Sequence, residues 1–196
     1  MLESQLNRIY ALVGEITTAF NSFELGWYLI FTALLPSSPR TAVDAIFQQH
    51  KTGGAQRKLI SDVALALRKE LESKSAKSDQ DEVYSEAYDN IVALCKVTET
   101  LAGRRNEVIH SLFYIANFTI PPMVLAGNIS KRSALADKKI DDELTNLLGD
   151  IEYHALDIGE VRLKFLELIH PPMIVARDRQ LLEAGKNEVA KKYPRK

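Results

Sequence analysis

The feature that most constrains the fold is an apolar stripe that runs through residues 2–35. Hydrophobic side chains recur there at alternating steps of three and four residues, which is the spacing of one helix face. From residue 25 onward the segment is apolar nearly all round, which requires burial on several sides or a partner chain. Pro36 and Pro39 end the pattern. The stripe comprises Leu6, Ile9, Val13, Ile16, Phe20, Phe23, Trp27, Ile30 and Leu34.

Most of the remaining chain also carries helical periodicity. A Ser-, Lys- and Asp-rich segment at 73–82 interrupts it and predicts an exposed, mobile connection. Residues 112–130 are aromatic and β-branched, which predicts a short β-hairpin or an extended arm that Pro121 and Pro122 keep at an edge. The fold class is therefore predicted as mainly α, a helical bundle with long N-terminal and C-terminal helices. The further helices are predicted at 39–50, 55–72, 81–110 and 141–169.

Length and composition indicate one domain. The chain has 196 residues, and its 46% hydrophobic and 26% charged content is that of an ordinary globular protein. We therefore treat 1–196 as a single domain, in which 171–196 forms a C-terminal extension. The extension ends in a basic tail with Lys186, Lys191, Lys192, Arg195 and Lys196.

Charge and cysteine content exclude several classes of function. The net charge is −1, so nucleic acid would have to bind a local patch rather than a global basic field. The only cysteine, Cys95, excludes an internal disulfide and a cysteine-based zinc site. No apolar run reaches the roughly 20 residues that a bilayer requires, and no signal-peptide core follows the first charges. We expect a cytoplasmic protein with no membrane partner, no metal and no cofactor.

Chemistry-bearing residues concentrate at the end of the predicted helix 81–110. The apolar stripe of that helix continues to position 105, where an arginine stands in place of a hydrophobic residue. Asn106 and His110 are four residues apart and therefore share a side of the helix. Arg105 and His110 lie about 140° apart around the axis, so both line one groove only at the helix end or with a second chain.

This Arg-Asn-x-x-x-His segment at the end of a long helix resembles the HEPN superfamily, whose ribonuclease members carry an Arg-x4–6-His motif. The resemblance implies a helical bundle that forms a homodimer and brings two motif copies to a shared cleft. It also implies RNA cleavage without a metal, as in toxins or defence proteins, with an antitoxin as a further partner. Arg105, Asn106 and His110 match the motif, and Arg104 offers a second permitted spacing and an additional phosphate contact.

The expected chemistry starts from a neutral imidazole at His110, which takes the proton of a ribose 2′-hydroxyl. The freed oxygen attacks the adjacent phosphorus and produces a 2′,3′-cyclic phosphate and a 5′-hydroxyl end. Arg105 stabilises the charge that builds on the phosphoryl oxygens, and Asn106 orients the imidazole or holds the phosphate. DNA lacks the nucleophile and would not be cut.

Three alternatives stay open. In the first alternative, Arg105 is a structural arginine paired with Glu24 or Glu99, and His110 is a helix-end histidine favoured by the helix dipole. In the second alternative, the chain is a non-catalytic module of the same fold that binds nucleotide, RNA or a protein partner. In the third alternative, the chain is an interaction protein that associates through an aromatic face of Trp27, Tyr28 and Phe31.

Two further polar residues fall next to apolar stripes. Glu24 lies among aromatic residues, where a partly desolvated carboxylate needs a cation or hydrogen-bond donors. We count it with Arg104 as a candidate substrate-binding residue, although it is as readily interpreted as leaning into solvent. His154 follows Glu152 and Tyr153, but a lone histidine beside an apolar stripe is more often a satisfied core residue than a metal ligand.

Overall fold

The structure, a computed structural model, describes residues 2–74, 78–116, 123–128, 140–169 and 172–195. The other parts of the predicted connection, hairpin and C-terminal extension lie outside the described residues. The described chain is mainly α, as predicted. Its elements in chain order are α1 (Leu2–Leu34), α2 (Arg40–Gln49), α3 (Gly53–Glu72), α4 (Asp79–Ile109), β1 (Ser111–Ala116), β2 (Met123–Asn128), α5 (Ile140–Ile169) and α6 (Pro172–Lys192).

The core forms around α1 and α5, which make the most extensive helix pair. The α1 stripe packs inward because its apolar residues share one face; α4 packs against α5, and α3 packs against α4 and α1. Each fully buried side chain of this size contributes about 1.5–3 kcal/mol by leaving water. The largest of them are Trp27, Phe31, Phe165, Ile9, Ile16, Ile30, Ile60, Ile91, Leu144, Leu148, Ile151 and Ile158.

The aromatic face of α1 belongs to this core. Trp27 and Phe31 are buried within the chain itself. Tyr28 is half-buried, and its hydroxyl donates to Asp44 Oδ1 on α2 at 2.5 Å. The alternative in which these three rings form an oligomer face is therefore wrong.

A buried ion pair ties α1 to the start of α3. Arg57 Nη1 donates to Glu24 Oε1 at 2.6 Å, and only 5% of the Arg57 side chain and 24% of the Glu24 side chain are exposed. The predicted need of Glu24 for a cation is thus met inside the chain. Gly53 makes the approach possible, since a Cβ on it would lie 2.7 Å from Glu24 Oε1 and 2.8 Å from Arg57 Nη1.

We therefore expect Gly53→Ala to lower the free energy of unfolding by about 1–3 kcal/mol, because both ends of the ion pair would have to move. Gly54→Ala is the matched control. A Cβ on Gly54 meets nothing within 4 Å, so this change should leave stability equal or raised. Urea denaturation of the two variants checks the difference, and equal stabilities would contradict the account.

The connection between α3 and α4 is shorter than the predicted 73–82. The helix α4 already begins at Asp79, because Ser78 accepts from the backbone N–H of Asp81 while the Asp81 side chain accepts from that of Ser78. Hydrogen bonds from Lys74 and Ser78 hold the pKa of the Asp81 carboxyl at about 2. The placement of 79–82 in a mobile connection was therefore wrong.

The predicted hairpin is present directly after α4. Strands β1 and β2 pair antiparallel, with Ser111 opposite Asn128 and Ala116 opposite Met123. No polar connection separates α4 from β1, since His110 is the only residue between them. The hairpin therefore follows the C-terminal end of α4 directly, with His110 at the junction.

Most of the C-terminal extension is a helix. Residues 172–192 form α6, which packs along α5 and buries Val175 and Val189. Arg162 pairs with Asp178 at 3.5 Å, and Lys186 pairs with Glu160 at 3.0 Å, so charges also join the two helices. Among the helices of the described ranges, none combines the length and apolarity needed to cross a bilayer.

Candidate functional site

Arg105 lies on the side of α4 that faces α1. Its side chain is half-buried, and the guanidinium carbon stands 5.1 Å from the centre of the Phe20 ring. Nη1 donates to Asn106 Oδ1 at 2.9 Å, whereas Nε is buried with no hydrogen-bond partner in the described part of the chain. A cation–π contact and one hydrogen bond therefore hold this arginine, without a carboxylate partner among the described residues.

His110 caps the C-terminus of α4. Its backbone N–H donates to the carbonyl oxygen of Asn106 at 3.1 Å, and the residue as a whole is exposed. The helix stops here because β1 begins at the next residue. The imidazole is thus carried at the junction between α4 and β1, on a residue that is open to solvent.

Asn106 is exposed and bonded to Arg105. Its amide therefore orients the guanidinium, which is a different role from holding the imidazole. Among the described contacts none joins Arg105 or Asn106 to the side chain of His110. Within a single chain, the arginine faces α1 while the histidine stands exposed at the helix end.

Arg104 turns to the opposite neighbour. Its Nη1 donates to Asp150 Oδ2 on α5 at 2.6 Å, with 37% and 45% of the two side chains exposed. The two adjacent arginines thus point to different helices, because successive residues are rotated by about 100° around an α-helix. Arg104 also lines a cleft of about 700 Å³ together with Asp150.

Glu24 is not gathered with these residues. Its carboxylate is engaged by Arg57 at the start of α3, so the alternative in which Arg105 pairs with Glu24 is wrong. The other suggested partner, Glu99, is exposed on α4. The structural role of Arg105 is instead its contact with Phe20.

A second polar cluster lies sealed in the core. The Thr98 hydroxyl donates to the carbonyl oxygen of Leu94 at 2.9 Å, and its Oγ1 lies 2.6 Å from His154 Nε2. The network therefore assigns the proton of a neutral imidazole to Nε2, which donates to Thr98. His154 is buried, which confirms the interpretation as a satisfied core histidine. Burial also raises the pKa of the neighbouring Cys95 thiol to about 12, so this cysteine is a poor nucleophile.

The buried histidine makes stability depend on pH. Burial, and secondarily the charge of Arg57, lowers the pKa of His154 to about 4 from its ordinary 6.5. The unfolded chain therefore binds this proton below about pH 6.5, whereas the folded chain does not until about pH 4. The contribution of His154 to stability is constant above this window and falls as the pH decreases through it.

We expect this residue to remove about 3 kcal/mol of folding free energy between about pH 7 and pH 4. Denaturant titrations of the wild type and of His154→Gln across that range measure it. The wild type should lose more stability than the variant, because glutamine keeps a donor for Thr98 but does not titrate. Parallel pH profiles of the two proteins would contradict the prediction.

Two residues that are not part of the sequence motif lie beside Arg104 in the structure. Asp150 and Tyr153 of α5 are far from Arg104 in the chain, and no sequence pattern associates them with it, since the fold alone brings them together. Across the described ranges, no group of three or more His, Cys, Asp and Glu side chains is placed to hold a metal ion. No model of a protein family, no curated protein and no solved structure matches the chain.

Proposed function

We propose that the protein is a metal-independent endoribonuclease of HEPN type, a toxin or defence component that acts as a homodimer. The proposal is supported above all by the end of α4, where an exposed His110 follows within five residues of a guanidinium fixed by Asn106. Arginine provides planar, permanently charged donors for a phosphoryl group, and histidine exchanges protons near neutral pH. Metal ions are not needed for this chemistry.

The reaction would proceed by internal transfer. His110 takes the proton from the 2′-hydroxyl, the 2′-oxygen forms a bond to the adjacent phosphorus, and the bond from phosphorus to the 5′-oxygen breaks. The 5′-oxygen leaves with a proton from water, so the products are a 2′,3′-cyclic phosphate and a 5′-hydroxyl. Arg105 stabilises the added negative charge on the phosphoryl oxygens, and Asn106 keeps the guanidinium in place.

A homodimer would bring together the guanidinium of Arg105 and the imidazole of His110, which a single chain keeps apart. Because Arg105 faces α1 while His110 stands at the helix end, one chain presents them in different directions. Two chains that meet at the ends of their α4 helices would place the guanidinium of one beside the imidazole of the other. We further propose an antitoxin as the partner that holds the enzyme inactive, and the cytoplasm as its location.

The experiment is incubation of the pure protein with labelled RNA in the presence of EDTA, beside Arg105→Ala and His110→Ala. We expect cleavage by the wild type alone and no cleavage of DNA of the same sequence. Cleavage that persists in both variants, or that EDTA abolishes, would contradict the proposal.

The second candidate is a non-catalytic helical module that binds RNA, nucleotide or a protein. It is favoured by the one-chain geometry, in which Arg105 is engaged by Phe20 and Asn106 rather than by His110. Binding of RNA without cleavage would select this candidate. Thermal unfolding of Arg105→Ala adds a check. A loss of several kcal/mol in its free energy of unfolding would indicate a structural rather than a substrate-binding arginine.

A further inference from the structure

A cleft lies between α4, α5 and the segment that follows α6. Its volume of about 700 Å³ falls within the range of about 300–1,000 Å³ that is usual for ligand pockets. Arg104 lines it from α4, Asp150 and Tyr153 line it from α5, and Tyr193 and Arg195 line it from the segment after α6. The cleft thus lies on the side of α4 that faces α5, whereas Arg105 lies on the side that faces α1.

The C-terminal segment is docked in place to form this cleft. The Tyr153 hydroxyl donates to the carbonyl oxygen of Tyr193 at 2.8 Å, and Lys192 Nζ lies 3.2 Å from Glu152 Oε1. Gly149 allows the close approach, since a Cβ on it would lie 3.1 Å from the Tyr193 ring. Backbone and side-chain contacts thus fix the positions of Lys192 at the end of α6 and of the segment that carries Arg195.

The cations of the cleft are available to an anion. Arg104 and Lys192 are each paired with a carboxylate, but these pairs are partly solvated and contribute little, so phosphate oxygens can replace the carboxylates. The guanidinium carbon of Arg195 lies 3.8 Å from the centre of the Tyr153 ring. Stacking of this kind leaves the N–H edges of the guanidinium free to bind phosphate.

The same stack also suits a nucleobase. Proteins hold single-stranded RNA by stacking bases on aromatic rings and arginine planes while cations track the phosphates. Tyr193 adds a second aromatic ring to the cleft, and Asn146 adds amide donors and acceptors. Cations, stacking planes and an amide are therefore combined in one space.

We infer that this cleft binds the single-stranded part of the RNA that extends from the scissile phosphate, with Arg104 and Arg195 contacting its phosphates. The inference rests on the proposed RNA substrate. Because Arg104 faces α5 whereas Arg105 faces α1, the RNA held in the cleft is the part that flanks the cleaved nucleotide and reaches Arg105 around α4. The tail is thereby a substrate-binding element rather than a solvated end.

The test is the affinity for a short labelled single-stranded RNA, measured by fluorescence anisotropy. All proteins carry His110→Ala so that the RNA stays intact. Arg104→Gln with Arg195→Gln is compared with Arg40→Gln and Arg68→Gln, which remove the same charge. The control is matched because Arg40 also stacks on a tyrosine, at 4.9 Å, and Arg68 also pairs with an aspartate of another helix, at 2.8 Å.

We expect the cleft variant to raise the Kd about tenfold and to reduce the dependence of log K on log salt by about 1–2, whereas the control variant changes the Kd by less than about twofold. Equal effects of the two pairs would overturn the inference. If His110-intact protein then still cleaves RNA, the proposed function survives that result. Absence of RNA binding by the His110→Ala parent protein would overturn both the inference and the proposed function. If binding is lost only in the cleft variant and the wild type does not cleave RNA, the result supports the cleft as an RNA-binding site and contradicts the proposed ribonuclease activity.

Discussion

His110→Ala is expected to lower the rate constant of RNA cleavage by about 10²–10⁴-fold, because it removes the general base. The protein should remain folded, since His110 is exposed and its backbone N–H, rather than its imidazole, continues the hydrogen bonding of α4. Single-turnover cleavage of labelled RNA measures the effect. A melting curve of the same preparation verifies that only the chemistry has changed.

A histidine in an equivalent backbone position provides the control. His50 caps the C-terminus of α2 as His110 caps that of α4. His50→Ala should therefore leave the cleavage rate unchanged. A similar loss in both variants would attribute the effect to helix ends rather than to catalysis by His110.

Glu24→Ala is expected to lower the free energy of unfolding by about 3–5 kcal/mol. The substitution leaves the guanidinium of Arg57, which is almost fully buried, without its carboxylate at 2.6 Å. Breaking a buried pair from one side costs this much because a buried charge loses its partner. Urea denaturation with a spectroscopic readout of Trp27 measures the difference.

An exposed ion pair on the same helix as Arg57 is the control. Lys58 and Asp62 lie 2.9 Å apart with 73% and 57% of their side chains exposed, so Asp62→Ala should cost less than about 1 kcal/mol. Replacing both buried partners, as Glu24→Leu with Arg57→Met, should recover part of the loss. A Glu24→Ala variant as stable as Asp62→Ala would contradict the importance of the pair.

Much of the architecture follows from local sequence patterns. The α1 stripe around Trp27 predicted a helix of residues 2–35, and the structure has Leu2–Leu34. The hairpin was predicted from β-branched and aromatic residues around two prolines, and its strands are present. These features depend on periodicity and on nearby breakers, which a single sequence displays.

Other features depend on contacts between distant residues. The boundary of α4 was missed because a Ser-and-Asp-rich segment looks like a connection until Ser78 and Asp81 are recognised as a capping box. The partner of Glu24 is 33 residues away, and Asp150 is 46 residues from Arg104. No local pattern reveals such pairs, so their identification requires the fold.

The candidate site divides in the same way. The motif residues Arg105 and His110 were found from the sequence because an arginine breaks the stripe of α4. The contact of Arg105 with Phe20 and the docking of Arg195 on Tyr153 arise only from packing. The catalytic role of the motif stays a prediction.

The most direct test of the proposed reaction removes one atom from the substrate. An RNA that the protein cuts is compared, in EDTA, with the same RNA carrying a single 2′-deoxy sugar on the 5′ side of the scissile phosphate. The account predicts a 2′,3′-cyclic phosphate and a 5′-hydroxyl end from the first and no cut at that position in the second. Cleavage of the deoxy-substituted RNA at the same phosphate would contradict it.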